Sequence, residues 1–314
     1  MKFLQYTLTL ILLVSSNIHC SPEIITNEAG TKMQELVVTL ANYARSQKEG
    51  FMIIPQNGVE LLFNHQNPEM GFKENYVQAI DGLGVEELFY NGNIKAVDER
   101  LDMLKTINHK PILVSDFLNK NGTENLASNK IKQHHFIPFI RTGQNYNYTF
   151  IPAGLPCDEH SSEVTNLSQV RNYLYLINSE RFDSKQTFIS AIQATNYDLI
   201  LVDLFFNDQA FTAQEINALK TKNNGGKRLV IAYLNIGSAE NFRYYWKRHW
   251  KLHQPEWIKK KYAGYPDEYW VEFWHPQWQR ILFGHADAYL DRILQSGFDG
   301  AYLDNVEAYY FLYH

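Results

Sequence analysis

Carboxylate and amide side chains follow six short apolar runs in this chain. A buried strand of a parallel sheet reads as such a continuous apolar run, and α/β barrels keep their active sites at the carboxyl ends of their strands. Acids gathered there could exchange protons with a bound substrate. The runs are Phe51 to Asn57, Gly82 to Glu87, Lys110 to Asp116, Asn172 to Asn178, Tyr197 to Asp203 and Gly297 to Asn305.

These acids have the types and placement that hydrolysis of a glycosidic bond requires. That reaction uses a protonated carboxyl group for the leaving oxygen and a second carboxylate as nucleophile or as base for water. Asp304 directly follows an apolar strand and is the candidate for the second role. Glu86 or Glu87 is the candidate acid, and one of the two should face the site because adjacent strand residues point to opposite sides. Any one acid alone would fit a helix cap or a surface charge; their shared position at strand ends favours a site.

Further side chains are expected to line the same cleft and bind sugar hydroxyls. Glu240 follows Gly237 and Ser238 at an expected helix start, where the helix dipole would also stabilise a carboxylate. The aromatic region from Tyr244 to Trp278 could offer rings that stack on sugars, although most of its rings should fill the core. Glu272 within it is either a site acid or a rim residue. The predicted substrate-binding residues are Asp203, Glu240, Asn57, Asp116, Glu87, Tyr233 and Trp274.

Other classes of ligand have weaker support in the sequence. His134 and His135, and the run from Asp158 to His160, carry metal-ligand types, but no His-Glu-x-x-His or paired Cys-x-x-Cys motif is present. No metal or cofactor is therefore predicted. The net charge of −5 argues against a nucleic-acid partner. The predicted partner is a polysaccharide or oligosaccharide substrate, and nothing in the sequence indicates an oligomeric state.

The first residues are typical of an export signal. Lys2 supplies a positive charge, and Leu8 to Val14 is an apolar stretch of signal-peptide length that is too short to span a membrane. We therefore predict a signal peptide at 1–20, no stable membrane insertion and a secreted or periplasmic protein. Lipid attachment at Cys20 fits less well, because the residues before it make a poor lipobox.

Alternating strand and helix patterns fill most of the remaining chain, which predicts an α/β fold with a parallel sheet. Residues 21–314 are predicted to form a single (β/α)8 barrel of the TIM type, with an irregular insert or join at about 119–169. The strand at Phe136 is doubtful because Pro138 disfavours a central strand. The candidate strands are Phe51 to Pro55, Leu83 to Tyr90, Ile112 to Val114, Phe136 to Ile140, Tyr173 to Ile177, Leu199 to Val202, Arg228 to Leu234 and Gly300 to Leu303.

Helices are predicted from apolar spacing and capping signals. One apolar face recurs from Met33 to Ala44, and Thr212 with Glu215 forms a capping box. A helix is also expected from about Ser238. Another face runs from Leu282 to Ile293 and is closed by Gly297 in a C-cap position.

Several of these segments resemble one family. Arg228 to Trp246 and Gly297 to Asp304 are similar to two signatures of a bacterial and archaeal family assigned as extracellular glycoside hydrolases, related to the endo-α-1,4-polygalactosaminidases. Phe51 to Leu62 and Asp81 to Tyr90 resemble two more. The resemblance implies a TIM-type barrel, an extracellular sugar substrate and a catalytic pair at Asp304 and Glu86, or Glu87 if the register shifts by one residue.

The chain departs from the family pattern in composition and in order. The family usually has Glu where Ser238 stands, which puts the sugar contacts at this strand end in doubt; a further family acid is matched by Glu307. The segments around Tyr233 and Asp304 follow those around Asn57 and Glu86 here, whereas they precede them in the family. This order predicts a circular permutation with its join within 119–169, which barrel termini would tolerate. A trimmed gene fragment or two-copy ancestor would produce the same order.

The function that these observations favour is hydrolysis of an extracellular polysaccharide, with galactosamine-containing polymers among the candidates. The alternative is a carbohydrate-binding or surface-interaction protein on the same barrel, because loss of one acid would end hydrolysis and leave binding intact. Fold alone does not decide between them.

Overall fold

The computed structural model describes residues 22–95, 98–107, 109–120 and 122–314. The predicted signal peptide at 1–20 and Cys20 lie outside the described residues. Within the described ranges, every helix is too short or too polar to cross a membrane. The architecture is α/β with parallel strands at its centre, as the sequence predicted.

The helices and strands follow the chain in alternation. The helices are α1 Pro22–Gln47, α2 Glu74–Ala79, α3 Glu99–Lys105, α4 Glu124–Lys132, α5 Lys185–Gln193, α6 Ala213–Leu219, α7 Pro276–Leu282, α8 Tyr289–Gln295 and α9 Ala308–Phe311. The strands are β1 Met52–Pro55, β2 Leu83–Ile94, β3 Ile112–Leu118, β4 Ile137–Thr142, β5 Tyr173–Leu176, β6 Leu199–Val202, β7 Phe205–Phe206, β8 Gln209–Ala210, β9 Leu229–Asn235, β10 Ser238–Glu240, β11 Ile258–Lys261, β12 Glu268–Val271 and β13 Gly300–Asp304.

Two parallel sheets make up the centre of the fold. One has the strand order β1-β13-β9-β6-β5, and the other has the order β2-β3-β4. A parallel bridge between Gln56 and Gly84 joins the end of β1 to β2. These eight strands coincide with the eight predicted strand segments, so those predictions are confirmed. The parallel ladders place the carboxyl ends of neighbouring strands side by side, with Asp304 opposite Asn235.

Large tyrosines from β5 and β13 lie in the core beside these strands. Tyr173, Tyr175 and Tyr302 are fully buried, and the Tyr175 hydroxyl donates to Gln56 Oε1 at 3.0 Å. Gly84 is required beside them, because a Cβ atom at this position would lie 1.8 Å from the Tyr302 hydroxyl. The small residue on β2 and the large one on β13 are therefore a matched pair in the core.

Helix α1 covers one side of the parallel strands. Its predicted apolar face is confirmed, since Met33, Leu36, Leu40 and Ala44 are all fully buried. Burying a side chain such as Leu contributes about 1.5–3 kcal/mol, so this face anchors the helix. Gln34 adds two hydrogen bonds to the carbonyls of Leu61 and Phe63.

The segment 119–169 contains both of the features predicted for it, a strand near Phe136 and an irregular stretch. The doubtful strand exists as β4, which carries Pro138 and is an edge strand of the β2-β3-β4 sheet, where a residue without a backbone N–H is tolerated. After β4, residues 143–169 contain only short 3₁₀ turns at Gly143–Asn145 and Leu167–Gln169. The division of the chain into domains stays a prediction.

Two helix predictions are wrong in part. Ser238–Glu240 is a strand that pairs with β12 in the antiparallel β10-β12-β11 sheet, so no helix begins at Ser238. The face from Leu282 to Ile293 is divided between α7 and α8, which are separated by an irregular stretch. Gly297, with φ of 84°, follows α8 in the left-handed conformation, which confirms its capping role.

Candidate active site

A cavity of about 1250 Å³ opens at the carboxyl ends of the parallel strands. Most of the predicted site residues line it, although they are far apart in the sequence. Acidic side chains outnumber basic ones in its wall. The predicted residues that line the cavity are Asn57, Glu86, Glu87, Asp203, Tyr233, Glu240 and Asp304; Asp116 and Trp274 are not among its lining residues.

Asp304 lies at the floor of this cleft as the last residue of β13. Its Oδ2 accepts a hydrogen bond from the Tyr233 hydroxyl at 2.5 Å, and its Oδ1 accepts the Asn305 N–H at 2.7 Å. Burial raises the pKa of Asp304 to about 7, the Tyr233 bond lowers it, and the nearby charge of Glu86 raises it. The carboxyl group can therefore change its charge near neutral pH.

Glu86 faces the same cleft, and its carboxyl group accepts a hydrogen bond from a neutral donor. The Tyr148 hydroxyl donates to Glu86 Oε1 and is also within 2.9 Å of Ser115 Oγ. The Tyr148 ring stacks on Tyr175 with 3.8 Å between ring centroids. The backbone N–H of Glu86 donates to Asn57 Oδ1 at 3.1 Å, so the predicted cleft residue Asn57 orients the strand that carries Glu86.

Strand β2 departs from regular pairing directly after Glu86. Glu86 lies opposite Ser115 and Asn91 lies opposite Phe117, so the stretch 87–90 faces the single residue Asp116. Glu87 adopts a left-handed φ of 53°. Because this bulge breaks the alternation of side chains, both Glu86 and Glu87 reach the cavity. The prediction that just one of them faces the site is wrong.

Asp116 supports this bulge from beneath and is not a cleft residue. Its carboxylate is fully buried and accepts the backbone N–H groups of Leu88 at 2.8 Å and Phe89 at 3.2 Å. Burial raises the pKa of Asp116 to about 7, while these backbone donors lower it. The prediction that Asp116 binds sugar is wrong, because the acid replaces missing ladder partners of β2 and so positions the two glutamates.

Arg141, at the end of β4, binds the second glutamate of the bulge. Its Nη2 lies 2.9 Å from Glu87 Oε1 and 3.9 Å from Glu86 Oε1. The guanidinium packs over the rings of Tyr146 and Tyr148 at 4.8 and 4.7 Å. Burial raises the pKa of Glu87, although Arg141 acts in the opposite direction. The charge-assisted bond thus fixes the carboxyl group of Glu87 against Arg141, whereas Glu86 is hydrogen-bonded to Tyr148.

Asp203 and Glu240 share one buried arginine on the opposite wall. Arg243 Nε and Nη2 donate to the two oxygens of Glu240 at 2.7 and 3.1 Å, and Arg243 Nη1 donates to Asp203 Oδ1 at 3.0 Å. Each side chain is at most 9% exposed. Burial raises the pKa of Glu240, and Arg243 lowers it. Glu240 lies on β10, so the helix dipole invoked for it in the sequence is absent.

Replacing Arg243 by Met should destabilise the protein strongly, because it leaves two buried carboxylates without a cation. Removing one partner of a buried ion pair costs about 3–5 kcal/mol, and we expect a loss of that size in the free energy of unfolding measured by urea denaturation at pH 8. Arg248→Met, at an exposed position, is the matched control and should change it little. An unfolding free energy equal to that of the wild type would show that Arg243 is dispensable.

Trp274 lies outside the cleft, and its predicted role in binding is wrong. Lys32 Nζ stacks over its ring at 4.1 Å, and Phe273 packs against its edge at 4.8 Å. The segment between β12 and α7 turns away from the cavity. Glu272 in this segment pairs with Lys259 at 2.8 Å, so it is also not a cleft acid.

The aromatic region from Tyr244 to Trp278 divides as the sequence indicated. Trp257, Trp270 and Trp278 are buried in the core. Tyr244 is 41% exposed and lines the cleft, as does Tyr265, which is 50% exposed. Exposed rings at the rim of a cleft offer flat surfaces for the apolar faces of sugars.

Four cleft residues with functional geometry were missed by the sequence analysis. Arg141 and Tyr148 lie in or after the doubtful strand, Arg243 lies where a helix was expected, and Glu268 opens the unpredicted strand β12. The pKa of Glu268 is raised to about 8 by burial and then by the charge of Glu240. The available signal for Arg141 was a charged residue directly after the predicted strand Phe136 to Ile140. The other three residues depend on the antiparallel sheet and the long loop, which leave no periodic signal.

Glu307 also lines the cleft, one residue before α9. Burial and the charge of Glu60 raise its pKa to about 7, and Arg100 acts in the opposite direction. The described part of the chain has no group of three or more His, Cys, Asp or Glu side chains placed to hold a metal ion. The site is therefore an acidic cleft with several carboxyl groups that titrate near neutrality.

The carboxyl-terminal part of the chain matches a known family. Residues 176–312 match the model of glycoside-hydrolase family GH114. This segment contains Asp203, Tyr233, Glu240, Glu268 and Asp304, whereas Asn57, Glu86 and Glu87 lie outside it. The match supports a relationship to glycoside hydrolases.

Relatives from distant microorganisms cover part of the chain. An uncharacterized protein of Methanocaldococcus jannaschii is 33% identical over 153 residues, which are 48% of this chain and 41% of that protein. One from Deinococcus radiodurans is 37% identical over 125 residues, 40% of this chain and 38% of that protein. One from Thermotoga maritima is 40% identical over 79 residues, 25% of this chain and 23% of that protein. The chain thus spans less than half the length of each of these relatives.

Proposed function

We propose that this protein is a secreted glycoside hydrolase that cleaves an extracellular polysaccharide, with Asp304 and Glu86 as its two reacting carboxyl groups. The observation that carries the proposal is that both side chains line one cleft, although they come from the distant strands β2 and β13, and that they have different hydrogen-bond partners. Asp304 is bonded to a phenol and a backbone N–H, and Glu86 is bonded to Tyr148. The match of residues 176–312 to a glycoside-hydrolase family supports the same reaction class.

The two carboxyl groups would divide the chemistry between them. Glu86 donates its proton to the leaving glycosidic oxygen, and ionised Asp304 attacks the sugar carbon or activates a water molecule. Arg141 lies closer to Glu87 than to Glu86 and stabilises the ionised form of Glu87. Glu86 has a neutral phenol as its hydrogen-bond donor and, among the described residues, no cation at hydrogen-bond distance, and on this geometry we assign the acid role to it.

The excess of acidic groups in the wall favours a substrate that is neutral or positively charged. Arg243 and Arg141 are already bonded to acids of the cleft, so a polyanion would find few free cations. A polymer with free amino groups, such as one that contains galactosamine, would be attracted by the carboxylates. This charge balance supports the proposed relationship to the polygalactosaminidases.

We further propose that the eight parallel strands close into a (β/α)8 barrel. The Gln56–Gly84 bridge joins the two sheets on one side. On the other side Phe139 of β4 packs on Tyr173 and Tyr175 of β5 with ring centroids 5.6 and 6.5 Å apart. Ring packing would thus replace a ladder beside the strand that carries Pro138.

A circularly permuted segment order is part of the same proposal. β1 pairs with β13, and Thr26 of α1 is hydrogen-bonded to His314 at 3.1 Å. The two ends of the described chain are therefore neighbours, which is the arrangement that permutation requires. Secretion is proposed from the signal-like residues 1–20 alone.

Replacing Tyr233 by Phe should move the acidic limb of activity to higher pH. The Tyr233 hydroxyl stabilises ionised Asp304, so its loss raises the pKa of Asp304 above its value of about 7. Because the ionised form reacts, we expect kcat/KM to fall at a higher pH than in the wild type and to recover as the pH rises. The measurement is kcat/KM from pH 5 to 9.

A matched variant exists on the outer surface. Tyr43 donates to Asp291 at the same distance of 2.5 Å, away from the cleft, so Tyr43→Phe should leave the pH profile unchanged. An unshifted acidic limb in Tyr233→Phe would contradict the assignment of that limb to Asp304.

The proposed function is tested by release of reducing ends from a panel of polysaccharides that includes galactosamine-containing polymers, chitosan and polyanionic pectate. We expect release from an amino polymer and none from pectate. Binding to a polymer without release would replace the proposal with a carbohydrate-binding protein. Neither binding nor release would favour a surface-interaction protein.

A further inference from the structure

Ser238 is the centre of a buried hydrogen-bond network beside Asp304. Its Oγ accepts the Nδ2 groups of Asn235 at 2.7 Å and Asn305 at 3.1 Å. The Ser238 N–H donates to Asn235 Oδ1 at 2.9 Å, which fixes the orientation of that amide. Since both amides donate to Oγ, the single proton of the Ser238 hydroxyl is free to point at Glu268 Oε2, 2.9 Å away.

This network gives the two oxygens of Glu268 different roles. Oε2 is an acceptor, because Ser238 donates to it. Among the hydrogen bonds and ion pairs of residues 22–314 that the structure describes, none engages Oε1, and Glu268 lines the cleft. Any proton that Glu268 carries must therefore reside on Oε1, the oxygen that is open to a bound ligand.

The charged groups around Glu268 favour such a proton. Glu240 lies directly opposite it across the β10–β12 ladder, and Asp304 lies on the other side of the Ser238 network. Arg243 is the nearby cation, but it is already bonded to Glu240 and Asp203. The charge of Glu268 also raises the pKa values of four phenols, Tyr233, Tyr245, Tyr262 and Tyr265.

Burial and the charges of Glu240 and Asp304 together raise the pKa of Glu268 to about 8, against the lowering effects of the bond from Ser238 and the charge of Arg243. The protonated form therefore predominates at neutral pH and disappears as the pH rises through about 8. This agrees with the geometry, in which the hydroxyl of a serine rather than a cation holds the carboxyl group.

We propose that Glu268 is a substrate-binding residue that donates a hydrogen bond from Oε1 to an acceptor oxygen of the sugar unit bound beside Asp304, and that Ser238 is its positioning residue. The proposal rests on the proposed hydrolase function. It assigns Glu268 to a hydroxyl or ring oxygen, whereas an ammonium group of the substrate would need the ionised carboxylate.

Steady-state kinetics of two substitutions of Glu268 distinguish a protonated carboxyl group from an ionised carboxylate as the form that binds substrate. Glu268→Ala should raise KM about tenfold and change kcat less than threefold. Glu268→Gln should reverse most of this rise at pH 6–7, because the amide can accept from Ser238 through its oxygen and donate into the cleft through its nitrogen. Wild-type KM should also rise above pH 8, and this rise should be absent in Glu268→Gln. Ser238→Ala should raise KM in the same direction.

Two outcomes would overturn the proposal. A Gln variant as impaired as the Ala variant would show that the charged carboxylate is the working form and would favour an ammonium ligand. Unchanged KM in Glu268→Ala would show that the residue does not touch substrate. Glu256→Ala, an 81%-exposed glutamate, controls for the loss of a surface charge near this sheet.

A readout without turnover separates this proposal from the proposed function. Carboxyl-¹³C NMR of glutamate-labelled protein, with Glu268→Gln used to assign the signal, should show Glu268 titrating near pH 8. Removal of the bond in Ser238→Ala should raise this pKa. Titration below pH 6 would overturn the proposal even in an active enzyme, whereas titration near pH 8 in a protein without activity would overturn the proposed hydrolase function and support the protonated carboxyl group.

Discussion

Asp304→Asn is expected to lower kcat on the responsive polysaccharide by roughly 10³-fold or more, because general-base or nucleophilic carboxylates contribute factors of this order. Asn fits the same space and can still accept from Tyr233, but it cannot carry the charge that attacks the sugar or activates water. The measurement is initial-rate release of reducing ends at pH 7.5.

The loss should occur in a fully folded protein. Burial raises the pKa of Asp304, so the ionised side chain is less favourable in the folded state than in the unfolded state, and the neutral amide removes that penalty. We therefore expect the Tm of Asp304→Asn at pH 8 to equal or exceed that of the wild type. Asp102→Asn, at a 77%-exposed side chain, should change neither activity nor Tm.

The Asp304→Asn variant also tests whether Asp304 is one of the two reacting carboxyl groups. Activity within tenfold of the wild type would move the reacting carboxylate elsewhere in the cleft. Where activity is lost, the anomeric form of the wild-type product, followed by ¹H NMR, then decides between the two roles of Asp304. Retention identifies it as the nucleophile, and inversion identifies it as the base for water.

Glu86→Gln is expected to lower kcat by about 10²–10⁴-fold on a polysaccharide and far less on an aryl glycoside with a good leaving group. The polymer needs a proton on its leaving oxygen, whereas an acidic phenol leaves without one. The ratio of the two losses is the diagnostic quantity, because a merely structural effect would reduce both rates equally.

Glu87→Gln is the sharpest comparison, since both glutamates reach the cleft from the same bulge. Glu87 is bonded to Arg141 at 2.9 Å. Its replacement should therefore disturb Arg141 and lower the rate of hydrolysis of the polysaccharide and of the aryl glycoside by similar factors. A strong dependence on the leaving group in Glu87→Gln, and not in Glu86→Gln, would transfer the acid role to Glu87. Glu49→Gln, on the exposed surface, controls for the change in charge.

The parallel strands were predictable because their signal is local. Runs such as Leu199 to Val202 and Leu229 to Leu234 are continuous, apolar and rich in branched residues, which is typical of strands buried on both faces. Even β4, with Pro138, kept this signal. Since strand ends are a direct consequence of strand positions, Asn57, Glu86, Asp203 and Asp304 could be assigned to one edge of the sheets.

The remaining site residues depend on contacts between distant segments. Asp116 has the same sequence context as Asp203, yet a bulge in the neighbouring strand β2 buries it, and no pattern in 83–94 marks that bulge. Ser238 to Glu240 has helix-start residues, but pairing with β12 makes it a strand. Arg243 and Glu268 acquire their roles only through this antiparallel sheet, so local propensity gives the wrong element there.

The pairing of β1 with β13 has a consequence for how the protein is made. β1 and β13 are the first and the last strands of the described chain. In the sheet, β13 lies between β1 and β9. During synthesis β1 therefore emerges long before its ladder partner, and the loop that joins them makes this contact slow to form. Because β13 is the last of the strands that the structure describes, the cleft lacks the carboxyl group of Asp304 until all of the described strands before it have been synthesised.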